Sequence, residues 1–306
     1  MTGTSRFADG RLLVVAFEGW NDAGEAASNV ARALVDAFDM TTLAELDGEA
    51  YIDFQFNRPQ AAHDDEGNSI LVWPRILLHG APPVATPVAD VSGEVVTSDG
   101  ASDGGLLVLL GAEPSRSWRS FAAEIVDLAD VHDVTGVVFL GAMLADVPHT
   151  RPISIYVGSE NTDVRNELDV ERSTYEGPVG ILSVLGQALE EAGVPTLSIW
   201  ASVPHYVHNA PSPKASLAIL EKVEELTGVD IPRGDLVEEA AAWEAGIDAL
   251  AADDEDMAGY IEQLEQARDT VDSPEASGEA IAQEFERYLR RRDGKSGDDP
   301  WRPPAQ

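Results

Sequence analysis

The fold is decided by residues 12–25, which read Leu12-Leu13-Val14-Val15-Ala16-Phe17-Glu18-Gly19-Trp20-Asn21-Asp22-Ala23-Gly24-Glu25. The apolar run at the start of this stretch indicates a buried strand, and the polar residues after it predict a sharp turn into a helix. Gly19 suits the turn because glycine adopts backbone conformations that other residues avoid. Asn21 or Asp22 can cap the helix, and Glu25 stands where a reciprocal cap with Asp22 requires it. The unit is predicted as strand, turn and helix N-terminus.

The same alternation of strand and helix continues along the chain. The clearest buried-strand patterns are Leu12–Phe17, Leu106–Leu110, Gly136–Leu140 and Thr196–Trp200. The helical patterns between them are Asp22–Phe38, Ser117–His132 and Val179–Ala192, the last with Pro178 expected in its first turn. Strands that alternate with helices favour a parallel sheet covered on both faces. We therefore predict an α/β fold, a three-layer α/β/α core domain over residues 1–228 with a mostly parallel, mixed sheet.

The pattern changes between Leu43 and Thr97. Tyr51–Phe56 alternates as a half-buried strand would, and Ser69–Trp73 is expected to pair with Ile76–His79. Ala85–Ala101 has little core signal and is expected to be a flexible loop.

The composition shifts to alanine and glutamate after Gly228. We predict a helical extension over residues 229–293 with about three helices, divided near Asp253 and near Asp272-Ser273-Pro274. Residues 294–306 are expected to form a disordered tail.

Composition excludes several classes of function. The formal net charge is −35, from 55 acidic and 20 basic residues, and a field of that sign repels nucleic acid and anionic lipid. The sequence has no cysteine, which excludes disulfides and thiolate chemistry and fits a reducing cytoplasm. No apolar run is long enough to span a membrane, and no signal peptide is apparent. We expect a cytoplasmic protein with no nucleic-acid or membrane partner.

The loops after the four clearest strands carry most of the candidate site residues. The carboxyl ends of parallel strands meet at one edge of a sheet, where open α/β folds usually bind ligands. We expect the following side chains to line a cleft at that edge, with Glu113 in the same group of loops: Glu18, Trp20, Asn21, Asp22, Arg116, His149, Arg151, His205 and Tyr206.

Two kinds of chemistry remain open at this edge. A histidine could act as a base near neutral pH, and an arginine could hold a carboxylate or phosphate. However, Gly100-Ala101-Ser102-Asp103-Gly104 matches a nucleophile elbow in letters but precedes a strand, where an elbow would follow one. His205 and His208 lack an established metal-ligand framework. We therefore assign no catalytic residue, metal or cofactor.

The chain resembles the proteasome assembly chaperone 2 family. The opening signature is Phe17-Glu18-Gly19-Trp20-Asn21-Asp22-Ala23-Gly24. Further segments resemble the actinobacterial branch of this family, namely Leu140–Pro152, Tyr175–Gly180, Val203–Val207, Pro211–Ala215 and Pro274–Ile281. They cover nearly the whole chain in the family's order, so the resemblance is specific for family and fold and less so for activity.

The resemblance implies a phosphorylase/hydrolase-like core and a homo-oligomer, such as a trimer. The leading hypothesis is a non-enzymatic assembly chaperone or interaction protein linked to proteasome assembly, with proteasome subunits as partners. The alternative hypothesis is an enzyme or small-molecule binder that takes a nucleoside or an anionic metabolite in the predicted cleft. The resemblance also implies that some relatives dock on proteasome rings through a C-terminal hydrophobic–Tyr–any tail. This chain ends Trp301-Arg302-Pro303-Pro304-Ala305-Gln306, so docking by that route is not expected.

Overall fold

A computed structural model describes residues 7–81 and 105–272. Its strands are β1 (Arg11–Glu18), β2 (Thr41–Glu45), β3 (Gln60–His63), β4 (Ser69–Val72), β5 (Ile76–Gly80), β6 (Leu106–Ala112), β7 (Val134–Ala145), β8 (Ile155–Gly158) and β9 (Thr196–Pro204). Its α-helices are α1 (Ala26–Ala37), α2 (Gly48–Tyr51), α3 (Trp118–Val131), α4 (Thr162–Leu168), α5 (Ile181–Glu191), α6 (Pro213–Thr227), α7 (Leu236–Ala252) and α8 (Glu255–Asp272). Short 3₁₀ helices cover Ala23–Glu25 and His205–Val207.

Seven strands form one sheet in the order β2-β5-β6-β1-β7-β9-β8. The four central strands, β6, β1, β7 and β9, are parallel, whereas β5 and β8 run antiparallel to their neighbours. In the middle of the sheet, Val14 pairs with Val108 on one side and with Val138 on the other. The prediction of a mostly parallel, mixed sheet is confirmed.

Successive β1 side chains enter two different cores, because strand side chains alternate between the faces of a sheet. Val14 packs in the core that includes Leu34 of α1 and Ile219 of α6. Val15 packs in the opposite core with Phe121 of α3, and α5 contributes to that core as well. A parallel sheet buried on both faces needs apolar side chains in both directions, which explains why β1 is an unbroken apolar run. The predicted three-layer α/β/α arrangement is confirmed.

The predicted strand at Tyr51–Phe56 is wrong. Tyr51 ends the short helix α2, whose N-cap is Asp47, and the Asp47 side chain accepts a hydrogen bond from the Glu49 backbone N–H at 3.0 Å. Asp53 then forms a turn, because its side chain accepts from the Gln55 N–H at 2.9 Å. Local hydrogen bonds of aspartate therefore outweigh the alternating pattern.

The predicted pairing of Ser69–Trp73 with Ile76–His79 is also wrong. β4 pairs with β3 in a separate two-stranded sheet, in which Asp64 closes the turn by accepting from the Asn68 N–H at 2.8 Å. β5 instead lies between β2 and β6 in the main sheet, where Ile76 and Leu78 are buried. Burying these side chains in the core is worth more than a local hairpin on the surface.

Two predictions concern the later helices. α5 begins at Ile181 with Gly180 as its N-cap, so Pro178 lies before the helix and not in its first turn as expected. The predicted break near Asp253 is confirmed by the gap between α7 and α8. The Ala85–Ala101 loop, the third predicted helix and the predicted tail lie outside the described residues.

The chain divides into two compact units, Met1–Ala249 and Leu250–Gln306. This division falls within α7, whereas the boundary expected from composition lies after residue 228, and the predicted domain organisation stays a prediction. Within residues 7–81 and 105–272, no helix is both long and apolar enough to cross a bilayer.

Candidate functional site

The carboxyl ends of β1, β6, β7 and β9 share one edge of the sheet. Glu18 at the end of β1 pairs with Ala112 at the end of β6, and Gly141 of β7 pairs with Trp200 of β9. The loops that follow these strands therefore begin at the same edge. The expectation that these loops share one edge, which followed from the predicted parallel topology, is confirmed.

Asn21 is the centre of the turn that follows β1. Gly19 adopts a φ of +108°, which permits the sharp change of direction. The Asn21 side chain is 1% exposed, and its amide Nδ2 donates to Glu113 Oε1 at 2.9 Å. Its backbone carbonyl accepts a hydrogen bond from the Ala142 N–H at 2.8 Å. Asn21 thus ties the turn to the ends of both neighbouring strands, β6 and β7.

Asp22 caps α1 although it lies further ahead of the helix in the sequence than expected. Its Oδ1 accepts hydrogen bonds from the N–H groups of Ala27 at 2.8 Å and Ser28 at 3.1 Å. The predicted reciprocal cap with Glu25 is wrong, because the chain makes a 3₁₀ turn at Ala23–Glu25 and Glu25 itself has a left-handed φ of +51°. Burial raises the pKa of Asp22, and the hydrogen bonds from Ser28 and Ala27 oppose this rise.

Glu113 joins the turn after β1 to the start of a helix that comes much later in the chain. Besides the amide of Asn21, its carboxylate accepts from the Trp20 N–H at 3.3 Å and from the N–H of Ile181, the first residue of α5. Burial raises the pKa of Glu113, and these three hydrogen bonds oppose the rise. A carboxylate at this place satisfies donors of a helix N-terminus that lack intrahelical partners.

His149 belongs to a second cluster, in which both of its ring nitrogens have a hydrogen-bond partner. The side chain is 1% exposed, with Nδ1 at 2.9 Å from the Tyr206 hydroxyl and Nε2 at 3.0 Å from Asp248 Oδ1. The His149 backbone N–H also donates to the Tyr206 oxygen at 2.7 Å. A neutral ring fits these contacts if Nε2–H donates to the carboxylate and Nδ1 accepts from the phenol.

Helix α7 covers this cluster with residues that were not among the sequence candidates. Lys214 of α6 donates to the His149 carbonyl at 2.5 Å and forms an ion pair with Glu244. The Trp243 ring meets the His149 ring edge to face, with centroids 6.4 Å apart. Glu244 and Asp248 are four residues apart and therefore lie on one face of α7, and this spacing is the sequence signal that could have indicated them.

The remaining candidates make contacts of their own. Arg116 Nη2 donates to the Glu49 carbonyl at 2.8 Å and to the Ile52 carbonyl at 2.6 Å, so it holds the α2 segment. The other contacts are Glu18 with Arg32, Arg151 Nη1 with Thr150 Oγ1 at 3.3 Å, and His205 Nδ1 with Asp146 Oδ1 at 3.1 Å.

The structure brings the candidates together in two groups. One group is centred on Asn21 and includes Trp20 and Asp22, and the other contains His149 and Tyr206. A single cleft shared by all nine residues stays a prediction. Within the described ranges, no group of three or more His, Asp or Glu side chains is arranged to hold a metal ion.

Three exposed apolar side chains are adjacent in sequence to Asn21 or to residues near it. We use the name rim patch for Trp20, Met143 and Val179, whose exposed fractions are 69%, 40% and 50%. Trp20 adjoins Asn21 in the chain, and Met143 adjoins Ala142, which bonds to the Asn21 carbonyl. Val179 adjoins Gly180, where a Cβ would come within 2.7 Å of Asn21 Oδ1. Each of the three exposed side chains therefore belongs to a residue that is adjacent in sequence to Asn21 or to a residue near Asn21.

Comparison with known proteins places the chain in a family. The model of the PAC2 family matches residues 16–251. A PAC2 family protein from Streptomyces avermitilis is 41% identical, with 82% of this chain and 99% of that chain covered and a TM-score of 0.69. A Mycobacterium tuberculosis proteasome-assembly chaperone homologue is 36% identical, with 82% and 99% covered and a TM-score of 0.67.

More distant structures share the fold. Pyrococcus furiosus PbaB, an archaeal proteasome activator, is 14% identical over 78% of this chain and 93% of that chain, with a TM-score of 0.58. No curated protein matches the sequence. The matched length and the identity to the Streptomyces and Mycobacterium structures establish that this chain belongs to the PAC2 family.

Proposed function

We propose that this protein is a non-enzymatic assembly factor that binds proteasome subunits through the rim patch. Membership of the PAC2 family supports this, as does the 36% identity to a protein described as a proteasome-assembly chaperone homologue. The proposal extends to a cytoplasmic location and to self-association as a homo-oligomer, such as a trimer.

One observation carries the proposal. The polar side chains at the carboxyl edge bond to other parts of the chain, whereas apolar side chains at this edge are exposed to solvent. Asn21 and Asp22 bond to other parts of the chain, and His149 is buried between Tyr206 and Asp248. Trp20, at the tip of the same turn, is 69% exposed. Exposed tryptophan is typical of protein-binding surfaces, where it supplies much of the affinity.

The charge of the chain indicates the kind of surface that it binds. With a net charge of −35, the protein repels acidic partners and attracts basic ones at long range. Such steering accelerates association, whereas the apolar contact slows dissociation. We therefore expect binding to a subunit face that has an apolar centre and a basic surround, and we expect the association rate to fall as salt is added.

Purification of the tagged full chain from its native cells tests the proposal. We expect proteasome α and β subunits to co-purify, and we expect half-proteasomes to mature more slowly in a strain that lacks the protein. Neither subunit co-purifying, together with unchanged assembly kinetics in that strain, would refute the assignment.

A further inference from the structure

A groove lies beside the separate β3–β4 sheet, and its lining shares no residue with the rim patch. Its volume is about 520 Å³, which is within the usual size of sites that bind small ligands or peptide side chains. Glu45 and Glu49 line it with Asp47 between them, and Phe54, Val72 and Trp73 supply apolar surface. Two different kinds of surface therefore meet in one concave site.

The apolar part of the groove is built around two aromatic rings. Phe54 and Trp73 meet edge to face with centroids 5.0 Å apart, and Leu71 and Val72 extend this surface along β4. Trp73, Leu71 and Val72 are all exposed. An exposed apolar strand of this kind marks an interaction site or a risk of aggregation. An aromatic face also attracts a cation that approaches it.

The charged part of the groove determines which occupant fits. Three carboxylates, those of Glu45, Asp47 and Glu49, line the groove together with one guanidinium, that of Arg75. Arg75 approaches Glu45 only to 3.9 Å, and both side chains are more than half exposed, so this pair neutralises little of the charge. The groove therefore complements a segment that carries basic side chains.

The backbone of β4 offers a way to hold such a segment. Within residues 7–81 and 105–272, β4 pairs with β3 alone, so the second edge of β4 has no strand beside it. A two-stranded sheet is marginally stable by itself, and a third strand would supply main-chain hydrogen bonds to it. Side chains of the added strand would then reach the groove at alternate positions.

We propose that this groove binds an extended segment of a partner protein in which arginine or lysine alternates with large apolar residues. The segment adds to the edge of β4 opposite β3, and its basic side chains enter the groove, where they face Glu45, Glu49 and the ring of Trp73. This inference assigns a second binding surface and does not depend on the proteasome assignment or on the rim patch.

A fluorescence-anisotropy titration of the full chain with a labelled peptide tests the inference. The probe is acetyl-Leu-Arg-Phe-Arg-Leu-Arg-amide, and the comparison peptide has glutamate in place of each arginine. We expect saturable binding of the arginine peptide that weakens as salt is raised, and no binding of the glutamate peptide. Equal binding of both peptides, or of neither, would overturn the inference.

Variants locate the binding site. We expect the double variant Glu45→Gln/Glu49→Gln to bind the arginine peptide about fivefold more weakly, and Trp73→Ala about tenfold more weakly. Asp47 is left unchanged because it caps α2. The control Glu238→Gln/Glu239→Gln makes the same change of charge in the first turn of α7 and should bind like the wild type.

Two measurements keep the result interpretable. The thermal unfolding midpoint of each variant shows whether the protein is still folded, and sedimentation shows its mass in solution. Weaker peptide binding by folded groove variants of unchanged mass supports the inference. Wild-type affinity in both groove variants, or a lower mass in Trp73→Ala that shows the groove to be occupied by a second copy of this chain, would overturn it.

Discussion

The side-chain amide of Asn21 donates a hydrogen bond to Glu113 over 2.9 Å, although 92 positions separate the two residues in the chain. This bond joins the turn after β1 to the turn after β6 at the edge of the sheet. The same carboxylate accepts from the Trp20 N–H, so it also fixes the base of the exposed tryptophan. The position of the rim patch therefore depends on a partly buried carboxylate that lies outside the patch itself.

Replacing Glu113 by alanine should destabilise the protein by about 1–3 kcal/mol, because donors at Trp20, Asn21 and Ile181 lose their acceptor. Urea unfolding measures this free energy. The control Glu191→Ala removes an exposed carboxylate of α5 that accepts from Gln187 one helical turn away, and its effect should stay within about 0.5 kcal/mol. Equal effects of the two variants would show that Glu113 has no special structural role.

Two glycines of the α5 region should respond oppositely to alanine. At Gly180 a Cβ would lie 2.7 Å from Asn21 Oδ1, so Gly180→Ala must displace the buried amide and should destabilise by about 1–3 kcal/mol. At Gly186, inside α5, the nearest atom is Phe139 Cε2 at 3.5 Å, an ordinary contact. Gly186→Ala should stabilise by up to about 1 kcal/mol through helix propensity. Thermal and urea unfolding measure the stability of both variants. A neutral Gly180→Ala would contradict the prediction.

The raised pKa of Asp22 predicts a pH-dependent difference between wild type and Asp22→Asn. A raised native pKa means that the protonated carboxyl stabilises the folded state. This stabilisation is complete below the unfolded pKa of aspartate, about 3.9, and it is lost as the pH rises through the native pKa. Asparagine cannot ionise but retains an oxygen that can accept from Ala27 and Ser28. The free energy of unfolding of Asp22→Asn, relative to wild type, should therefore increase with pH.

Urea titrations of both proteins between about pH 3.5 and pH 8, a range that begins below the unfolded pKa, measure this difference. A difference that is constant over the whole range, or one that decreases with pH, would contradict the assigned direction of the Asp22 pKa shift. Asp36→Asn makes the same chemical change at an exposed position of α1 and serves as the control.

Tyr206→Phe should destabilise the His149 cluster by about 1–3 kcal/mol. The variant removes the hydroxyl that meets both the His149 backbone N–H and Nδ1, and it leaves these buried groups without that partner. Tyr156→Phe, in the exposed part of β8, is the control and should change stability by less than about 0.5 kcal/mol. Calorimetric unfolding compares them, and a neutral Tyr206→Phe would argue against a structural role of the phenol.

The central sheet could be predicted from the sequence because its strands are buried on both faces. Continuous apolar runs such as Leu12–Phe17 have few alternatives to a parallel strand, and the order of strands and helices then restricts the topology. The region around Tyr51 could not be predicted in the same way. There, short-range hydrogen bonds of Asp47 and Asp53 decide the structure, and an alternating pattern does not reveal them.

The candidate site could be predicted in its location but not in its contacts. Strand direction places Asn21 and His149 at the carboxyl edge, and this follows from topology. The Asp248 and Glu244 side chains reach the His149 region from a helix about one hundred positions later. No local pattern around His149 indicates which later helix covers it, so this contact required the structure.

Quantitative co-purification of proteasome α subunits with Trp20→Ala tests the account most directly. Trp20 is 69% exposed, so the variant should keep the wild-type unfolding midpoint. Val131→Ala, a change at another exposed apolar side chain at the end of α3, is the control. We predict at least about a tenfold loss of co-purified subunit for Trp20→Ala and none for Val131→Ala. Wild-type recovery with folded Trp20→Ala would contradict the claim that the rim patch binds the partner.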